Sequence, residues 1–186
     1  MDAPRYQPFF CEENVWHLCA DPRVPPAPRA VLFVSNRDRT VAFLQQRAGR
    51  ADTPVVWDYH VVLVVRGDAQ WWVWDLDTRL PLPVPLSRWL EESFALPRGF
   101  PPPFAPRFRV VEAEQYRAGF RSDRSHMRGP DGAWRADPPP WPAILGGAHD
   151  LSRYVDLEQP DPGRVADLDA LLTTLDDVTR QSSKSP

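Results

Sequence analysis

The sequence lacks the features of membrane, secreted and nucleic-acid-binding proteins. No stretch of its 186 residues approaches the roughly 18 apolar residues that a membrane-spanning helix needs. Its first residues, Met1 to Arg5, lack the basic and then apolar pattern of a secretory signal. The net charge of −3 gives no positive field for a polyanion, and no local basic patch replaces it. We therefore expect a cytoplasmic protein that binds neither membranes nor nucleic acid.

Metal-binding patterns are also missing. The chain has only two cysteines, Cys11 and Cys19, and it contains no Cys-x-x-Cys pair. Its four histidines are scattered without the spacing of metal ligands. A structural disulfide is not expected in a chain without an export signal, so both thiols are predicted to be reduced. The sequence predicts no metal site.

Length and composition favour one globular domain. A chain of this size can bury one core but is short for two. We assign residues 1–179 to a single domain and predict a disordered tail over residues 180–186. We expect the protein to be a monomer. The 23 prolines predict long irregular connections between its elements.

Hydrophobic periodicity and turn residues outline the elements. The patterns predict helices over residues 11–20, 86–94 and 164–177, and strands over residues 31–34, 55–65, 71–75 and 108–111. Residues 40–46 are a candidate hairpin partner for 31–34, and residues 122–142 are predicted to be a loop. Consecutive strands rather than alternating βαβ units indicate an α+β fold with a mainly antiparallel sheet.

Three residues could form the catalytic group of a cysteine hydrolase. Cys11 lies at the predicted start of the first helix, where free N–H groups and the helix dipole lower a thiol pKa. Glu12 and Glu13 oppose this by charge repulsion, so the thiol needs a cationic partner. His60, in the central strand, can supply that imidazole, and Asp75 in the next strand can orient it.

The register of the hairpin decides whether His60 meets Asp75. A turn over residues 66–70 places His60 opposite Leu76, whereas a turn one residue shorter places it directly opposite Asp75. A one-residue slip moves the two side chains to opposite faces of the sheet.

Each of the three residues also has a simpler interpretation. Cys11 alone is typical of a small buried apolar residue, His60 of a core histidine, and Asp75 of a turn former. Their order along the chain, a helix-start cysteine, a strand histidine and an aspartate in the next strand, is that of transglutaminase-like and papain-like hydrolases.

Longer stretches of the sequence carry a more specific likeness. From about Tyr6 to Leu172 the chain resembles the protein N-terminal glutamine amidohydrolase family. The stretches that carry this resemblance include Cys11-Glu12-Glu13-Asn14-Val15-Trp16, Phe33-Val34-Ser35-Asn36, Trp57-Asp58-Tyr59-His60-Val61-Val62-Leu63, Asp75-Leu76-Asp77-Thr78 and Ser122-Asp123-Arg124-Ser125-His126-Met127.

The resemblance implies a transglutaminase-like or papain-like core and a deamidase of N-terminal glutamine. It makes Cys11 the nucleophile, His60 the base and Asp75 the acid, and it implies no cofactor. Its substrates would be proteins or peptides that begin with glutamine. A transglutaminase-like acyltransferase or peptidase, or a non-catalytic binder of N-terminal residues, are the alternatives.

Selectivity for a terminal glutamine requires a group that binds the free α-ammonium. A carboxylate suits this role, because it leaves an unpaired charge when a blocked or internal glutamine enters. Glu13, Asp58 and Asp123 are the candidates, although each also has an ordinary structural role. Two aromatic residues, Trp57 and Tyr59, either line the pocket or belong to the core, and His126 is expected to brace a loop.

Overall fold

Short helices and strands alternate irregularly along the chain. The computed structural model describes residues 3–182, and the side chains of residues 3–180. The strands are β1 (Arg29–Ser35), β2 (Val41–Phe43), β3 (Val55–Trp57), β4 (His60–Arg66), β5 (Trp71–Trp74), β6 (Val84–Pro85), β7 (Arg107–Glu112) and β8 (Arg164–Ala166). The α-helices are α1 (Cys11–Leu18), α2 (Leu86–Phe94), α3 (Ala113–Gly119), α4 (Leu151–Val155) and α5 (Leu171–Ser182). Within the described residues, no helix is both long and apolar enough to cross a bilayer.

Six of the strands form one sheet in the order β6-β5-β4-β1-β7-β8. Every pair of neighbours in it is antiparallel. The predicted α+β class with a mainly antiparallel sheet is therefore confirmed. The prediction that the strand carrying His60 is central is also confirmed, since β4 lies between β1 and β5.

Side chains alternate between the two faces of the sheet, as the pleat requires. On one face Leu32, Val62 and Val64 pack with Trp89 of α2 and Leu175 of α5. We call this the α2 face. On the other face, residues of odd number in β1 and β4 pack with α1, α3 and α4, and we call it the α1 face; they include Val31, Phe33, Val61 and Leu63.

The prediction for residues 40–46 was wrong in its pairing. Strand β2 pairs with β3 in a separate two-stranded sheet, with Val41 opposite Trp57. Both edges of β1 are already occupied, by β4 and β7, so β1 has no free edge for a hairpin partner. The predicted strand 55–65 is accordingly interrupted at residues 58 and 59, and the Asp58 carbonyl there accepts a hydrogen bond from Ser35 Oγ at 2.6 Å.

The predicted last helix starts seven residues too early. Residues 164–166 form β8, which pairs with the free edge of β7. A turn follows in which the Asp167 carboxylate accepts the Ala170 N–H at 2.9 Å, and α5 then begins at Leu171. The helix continues to Ser182, so residues 180–182 of the predicted tail are helical, and residues 183–186 lie outside the described part. The sequence patterns also missed α3 and α4.

Arg109 attaches an irregular segment to β7. Its guanidinium is fully buried and donates to four backbone carbonyls. The acceptors are Tyr154 at 3.0 Å, Asp156 at 2.6 Å, Gln159 at 3.0 Å and Pro162 at 2.8 Å. Each hydrogen-bonding edge of the cation is used, which offsets the cost of burying its charge. Residues 154–162 are thereby held through their backbone.

Candidate active site

Cys11 is the first residue of α1, and the segment before it is tied to that helix. The Asn14 side chain accepts the Gln7 N–H and donates to the Gln7 carbonyl, both at 2.8 Å. The N–H of Cys11 lies in the first helical turn, where it has no intrahelical acceptor. The thiol keeps part of its surface open to a cavity.

His60 and Asp75 form a buried pair. His60 Nε2 lies 2.8 Å from Asp75 Oδ1, and both side chains are almost fully enclosed. Asp75 Oδ1 also accepts the backbone N–H of Asp77 at 3.0 Å. Its Oδ2 accepts from Trp89 Nε1 at 3.0 Å and from Gln46 Nε2 at 3.3 Å. These donors fix the carboxylate, and the bond to Nε2 leaves the other ring nitrogen of His60 without a partner in residues 3–182.

The two residues meet through a register that the sequence did not anticipate. Arg66 faces Trp71 and Leu63 faces Trp74, so the turn is residues 67–70. Asp75 follows the last residue of β5, diagonal to His60 rather than opposite it. The side-chain period of two keeps both on one face, and diagonal neighbours are within reach of long side chains. Both considered registers were wrong, yet the contact forms.

Burial and the aspartate act in opposite directions on His60. Enclosure of the ring by itself lowers the pKa of His60, but the Asp75 carboxylate more than offsets this, so the pKa is raised. Burial likewise favours the neutral acid of Asp75, but the imidazole and the hydrogen bonds lower its pKa. Phe43 and Trp57 contact the ring, with centroids 5.3 Å and 6.3 Å away. The pair therefore stabilises the positive charge that the imidazole acquires when it takes up a proton.

The surroundings of Cys11 favour the neutral thiol. Desolvation raises the pKa of Cys11 most, followed by the charges of Glu12 and Asp77, whereas the backbone N–H of Val61 lowers it. Cys11 Sγ lies 3.8 Å from Glu12 Oε2. The helix start alone does not ionise this thiol, as the sequence indicated.

Glu12 is an enclosed carboxylate whose environment the sequence did not reveal. Its Oε2 accepts the Tyr59 hydroxyl at 3.1 Å. Its Oε1 lies 3.4 Å from His126 Nε2, at ion-pair distance but without hydrogen-bond alignment. His126 thus lies against Glu12 of α1, next to the candidate nucleophile.

Glu13, a candidate for binding the substrate ammonium, is occupied elsewhere. Both of its oxygens accept from the Arg124 guanidinium at 2.8 Å, and Trp141 Nε1 adds a third bond at 2.8 Å. Glu13 is fully buried and does not line the cavity. Arg124 lies 111 residues further along the chain, so no local pattern could have predicted the pair.

The other candidates surround one cavity of about 660 Å³. Cys11 and His60 both lie on its wall, together with Trp57, Tyr59, Asp58 and Asp123. Asp58 and Asp123 are exposed. Six of the eight site residues proposed from the sequence therefore line this cavity, and Asp75 and Glu13 do not.

Asp77 also lines the cavity, and its part in the site was missed. His60, Asp75 and Asp77 each place a ring nitrogen or carboxylate oxygen within 4.8 Å of the other two. Such a group can bind a cation, but Trp89, Gln46 and a backbone N–H already donate to both Asp75 oxygens. These donors suit an imidazole partner for Asp75 better than a metal ion.

Comparison with known proteins gives a consistent family. Residues 6–175 match the model of a family described as N-terminal glutamine amidase. The chain is 40% identical over 151 residues to the protein N-terminal glutamine amidohydrolase of Bos taurus, which covers 78% of this chain and 73% of the relative. It is 40% identical over 176 residues to the protein of that name from Arabidopsis thaliana, covering 87% of this chain and 80% of the relative.

Proposed function

The chain belongs to the N-terminal glutamine amidase family and hydrolyses the side-chain amide of an N-terminal glutamine to glutamate, and we propose that it does so through a thioester on Cys11. The observation that carries the mechanism is the shared cavity wall. A helix-start thiol and an imidazole paired to a carboxylate face the same space. This is the arrangement that nucleophilic amide hydrolysis requires.

In the first half of the reaction, the Cys11 thiol passes its proton to His60 and Sγ attacks the side-chain amide carbon of the substrate. The first-turn N–H of Cys11 is a donor for the oxyanion that forms. His60 then gives its proton to the amide nitrogen, so the carbon–nitrogen bond breaks and ammonia leaves. A thioester between Cys11 and the substrate remains.

In the second half, His60 removes a proton from water, and the resulting hydroxide attacks the thioester carbon. The carbon–sulfur bond breaks, the thiol recovers its proton from His60, and glutamate is released. Asp75 keeps the imidazole in one tautomer and stabilises its charged form in both halves. The reaction uses water alone as co-substrate.

The fold is best placed among transglutaminase-like cores. The support is the chain order of a helix-start cysteine, a histidine at the start of a central strand and an aspartate after the next strand. The substrates are proteins or peptides with a free N-terminal glutamine, processed by a monomer.

Matched peptides that begin with Gln, Asn, acetyl-Gln or Val-Gln test the function. We expect ammonia release, and the mass change of an amide becoming an acid, for the Gln peptide alone. Reaction of Val-Gln or incorporation of an added amine would instead indicate a transglutaminase-like acyltransferase. Binding of the Gln peptide without turnover would indicate a non-catalytic binder.

The Cys11→Ser variant is the control for the nucleophile. We expect its ammonia release to fall by about 10⁴-fold or more, to background, because the weaker oxygen nucleophile lacks a sufficient base. His60→Ala should fall equally far. Full activity of Cys11→Ser would remove Cys11 from the mechanism.

A further inference from the structure

Four carboxylates line the cavity, and they differ in their surroundings. Asp58, Asp123 and Asp150 are exposed. Each also accepts a hydrogen bond from a residue one or two positions further along the chain. Asp58 accepts the Tyr59 N–H at 3.0 Å, Asp123 accepts the Ser125 N–H at 2.9 Å, and Asp150 accepts the Ser152 hydroxyl at 2.6 Å. Water and local donors already satisfy these three groups, so a substrate ammonium adds little to them.

The fourth carboxylate, Asp77, is largely enclosed and lacks a cation. One oxygen accepts the Tyr6 hydroxyl at 2.6 Å. Among the described residues no arginine or histidine forms an ion pair with it within 4.0 Å. Arg47, the nearby cation, donates its Nε to the Thr78 carbonyl at 3.0 Å instead. Burial raises the pKa of Asp77 most, His60 lowers it, Asp75 raises it again, and the net shift is upward.

An enclosed carboxylate of this kind gains most from an incoming positive charge. Charge-assisted hydrogen bonds are strongest where water is excluded, because the local dielectric is low. A substrate without that charge leaves the carboxylate desolvated and unpaired. The site therefore selects substrates that carry a positive charge, because the protein itself supplies no cation to Asp77.

The distance between Asp77 and His60 also favours Asp77 as the residue that binds the substrate ammonium. In an extended glutamine the α-nitrogen lies about 5 Å from the side-chain amide carbon, across four single bonds. The amide carbon must sit beside Cys11 and His60 during attack. Asp77 places an oxygen within 4.8 Å of a His60 ring nitrogen, so one glutamine side chain spans the interval.

We propose that Asp77, oriented by Tyr6, binds the α-ammonium group of the N-terminal glutamine and so determines the specificity for free N-termini. This inference rests on the proposed function. The seated ammonium also neutralises a charge that raises the pKa of Cys11. A free N-terminus thus favours the thiolate as well as binding.

The test measures the hydrolysis of two peptides by the wild-type protein and by the Asp77→Asn variant. One peptide begins with glutamine, and the other carries the same side chain on a 4-carbamoylbutanoyl group, which lacks only the α-amine. For the wild type we expect kcat/KM to be about 100-fold higher for the glutamine peptide. In Asp77→Asn the ratio should fall to about 1, because the amide offers no negative charge to the ammonium.

Other results would overturn the assignment. If Asp77→Asn lowers both peptides equally, Asp77 acts through His60 and not on the ammonium. If the ratio collapses in Asp58→Asn, Asp123→Asn or Asp150→Asn and not in Asp77→Asn, another carboxylate holds the ammonium. If the wild type releases no ammonia from the glutamine peptide, the proposed function itself fails, which is a distinct result.

Tyr6→Phe provides a second variant should Asp77→Asn fold poorly. It keeps every charge and removes only the hydroxyl that orients Asp77. We expect KM for the glutamine peptide to rise about tenfold, with little change for the des-amino peptide. A purely structural role of Tyr6 would affect both peptides alike, and that result would remove Tyr6 from the proposal.

Discussion

The two faces of the sheet differ in the kinds of side chain that they bury. The α2 face is an apolar cluster rich in aromatic side chains, among them Phe43, Trp89, Phe94 and Phe108. The α1 side also has an apolar cluster, but it buries four further charged side chains, Glu12, Glu13, Arg109 and Arg124. His60 belongs to the α2 face by its parity with Val62, whereas Cys11 packs against the α1 face. The candidate base and nucleophile thus come from opposite faces, and both line the cavity beside the start of β4.

The two faces therefore contribute differently to activity and to stability. An apolar enclosure strengthens the pairing of His60 with Asp75, because no water competes for the carboxylate. On the α1 side every buried ion needs partners, and those partners tie α1 to distant loops. Loss of a polar group should therefore affect chemistry on one face and folding on the other.

The largest expected effect is that of Asp75→Asn on the α2 face. The amide cannot stabilise the imidazolium, and it favours the wrong tautomer, so we expect kcat/KM to fall by about 10⁴-fold. Asp68→Asn, an exposed carboxylate in the β4–β5 turn, is the matched control and should retain activity. Retained activity in Asp75→Asn would show that Asp75 has no part in the chemistry.

On the α1 side, Arg124→Ala should mainly reduce stability. It leaves the buried Glu13 carboxylate without its cation, and we expect the free energy of unfolding to fall by about 3–5 kcal/mol. Chemical denaturation measures this loss. Arg107→Ala breaks an exposed pair with Glu158 at 3.3 Å and should cost less than about 1 kcal/mol. Equal losses in the two variants would contradict the distinction between buried and exposed pairs.

The Trp89→Phe substitution tests the α2 face with a smaller change than Asp75→Asn. It removes one of the donors to Asp75 Oδ2 and should lower the free energy of unfolding by about 1–3 kcal/mol. Trp71→Phe removes a similar indole bond, to the partly exposed Asp176. We expect kcat/KM to fall in Trp89→Phe and to stay unchanged in Trp71→Phe. A fall in both variants would mean that packing, and not the bond to Asp75, limits activity.

The smallest effect is on the pH profile of kcat/KM. The pKa of His60 is raised above its ordinary 6.5, so activity should be lost on acidification at a pH above that value. The pKa of Cys11 is raised too, which moves the alkaline limb above the ordinary thiol value of 9.0. The two limbs belong to the coupled pair. An acid limb below 6.5 would contradict the effect assigned to Asp75.

Local patterns predicted the elements that local chemistry determines. Helix α2 has the predicted bounds, and the residues of β4 and β5 were assigned to strands because β-branched and aromatic residues dominate there. The patterns failed where the outcome depends on distant partners. Strand β2 pairs with β3 because the edges of β1 are taken, and the β4–β5 register follows a turn that the sequence does not specify.

In the candidate active site, too, local patterns predicted some features and distant partners determined the others. Cys11, His60 and Asp75 could be named from residue type and order, whereas their surroundings could not. Gln46 and Trp89 reach Asp75 across 29 and 14 residues, and no spacing rule connects them. Asp77 was visible in the sequence, but only its enclosure and its missing cation distinguish it from the other aspartates.

The Arg109 anchor has a consequence for how this protein can diversify. Its guanidinium holds carbonyl oxygens, which every amino acid possesses, so these four hydrogen bonds do not depend on the identity of the side chains in the 154–162 segment. Val155 of that segment forms part of the cavity wall. Substitutions at this position would therefore alter the cavity wall without removing any hydrogen bond of the Arg109 anchor.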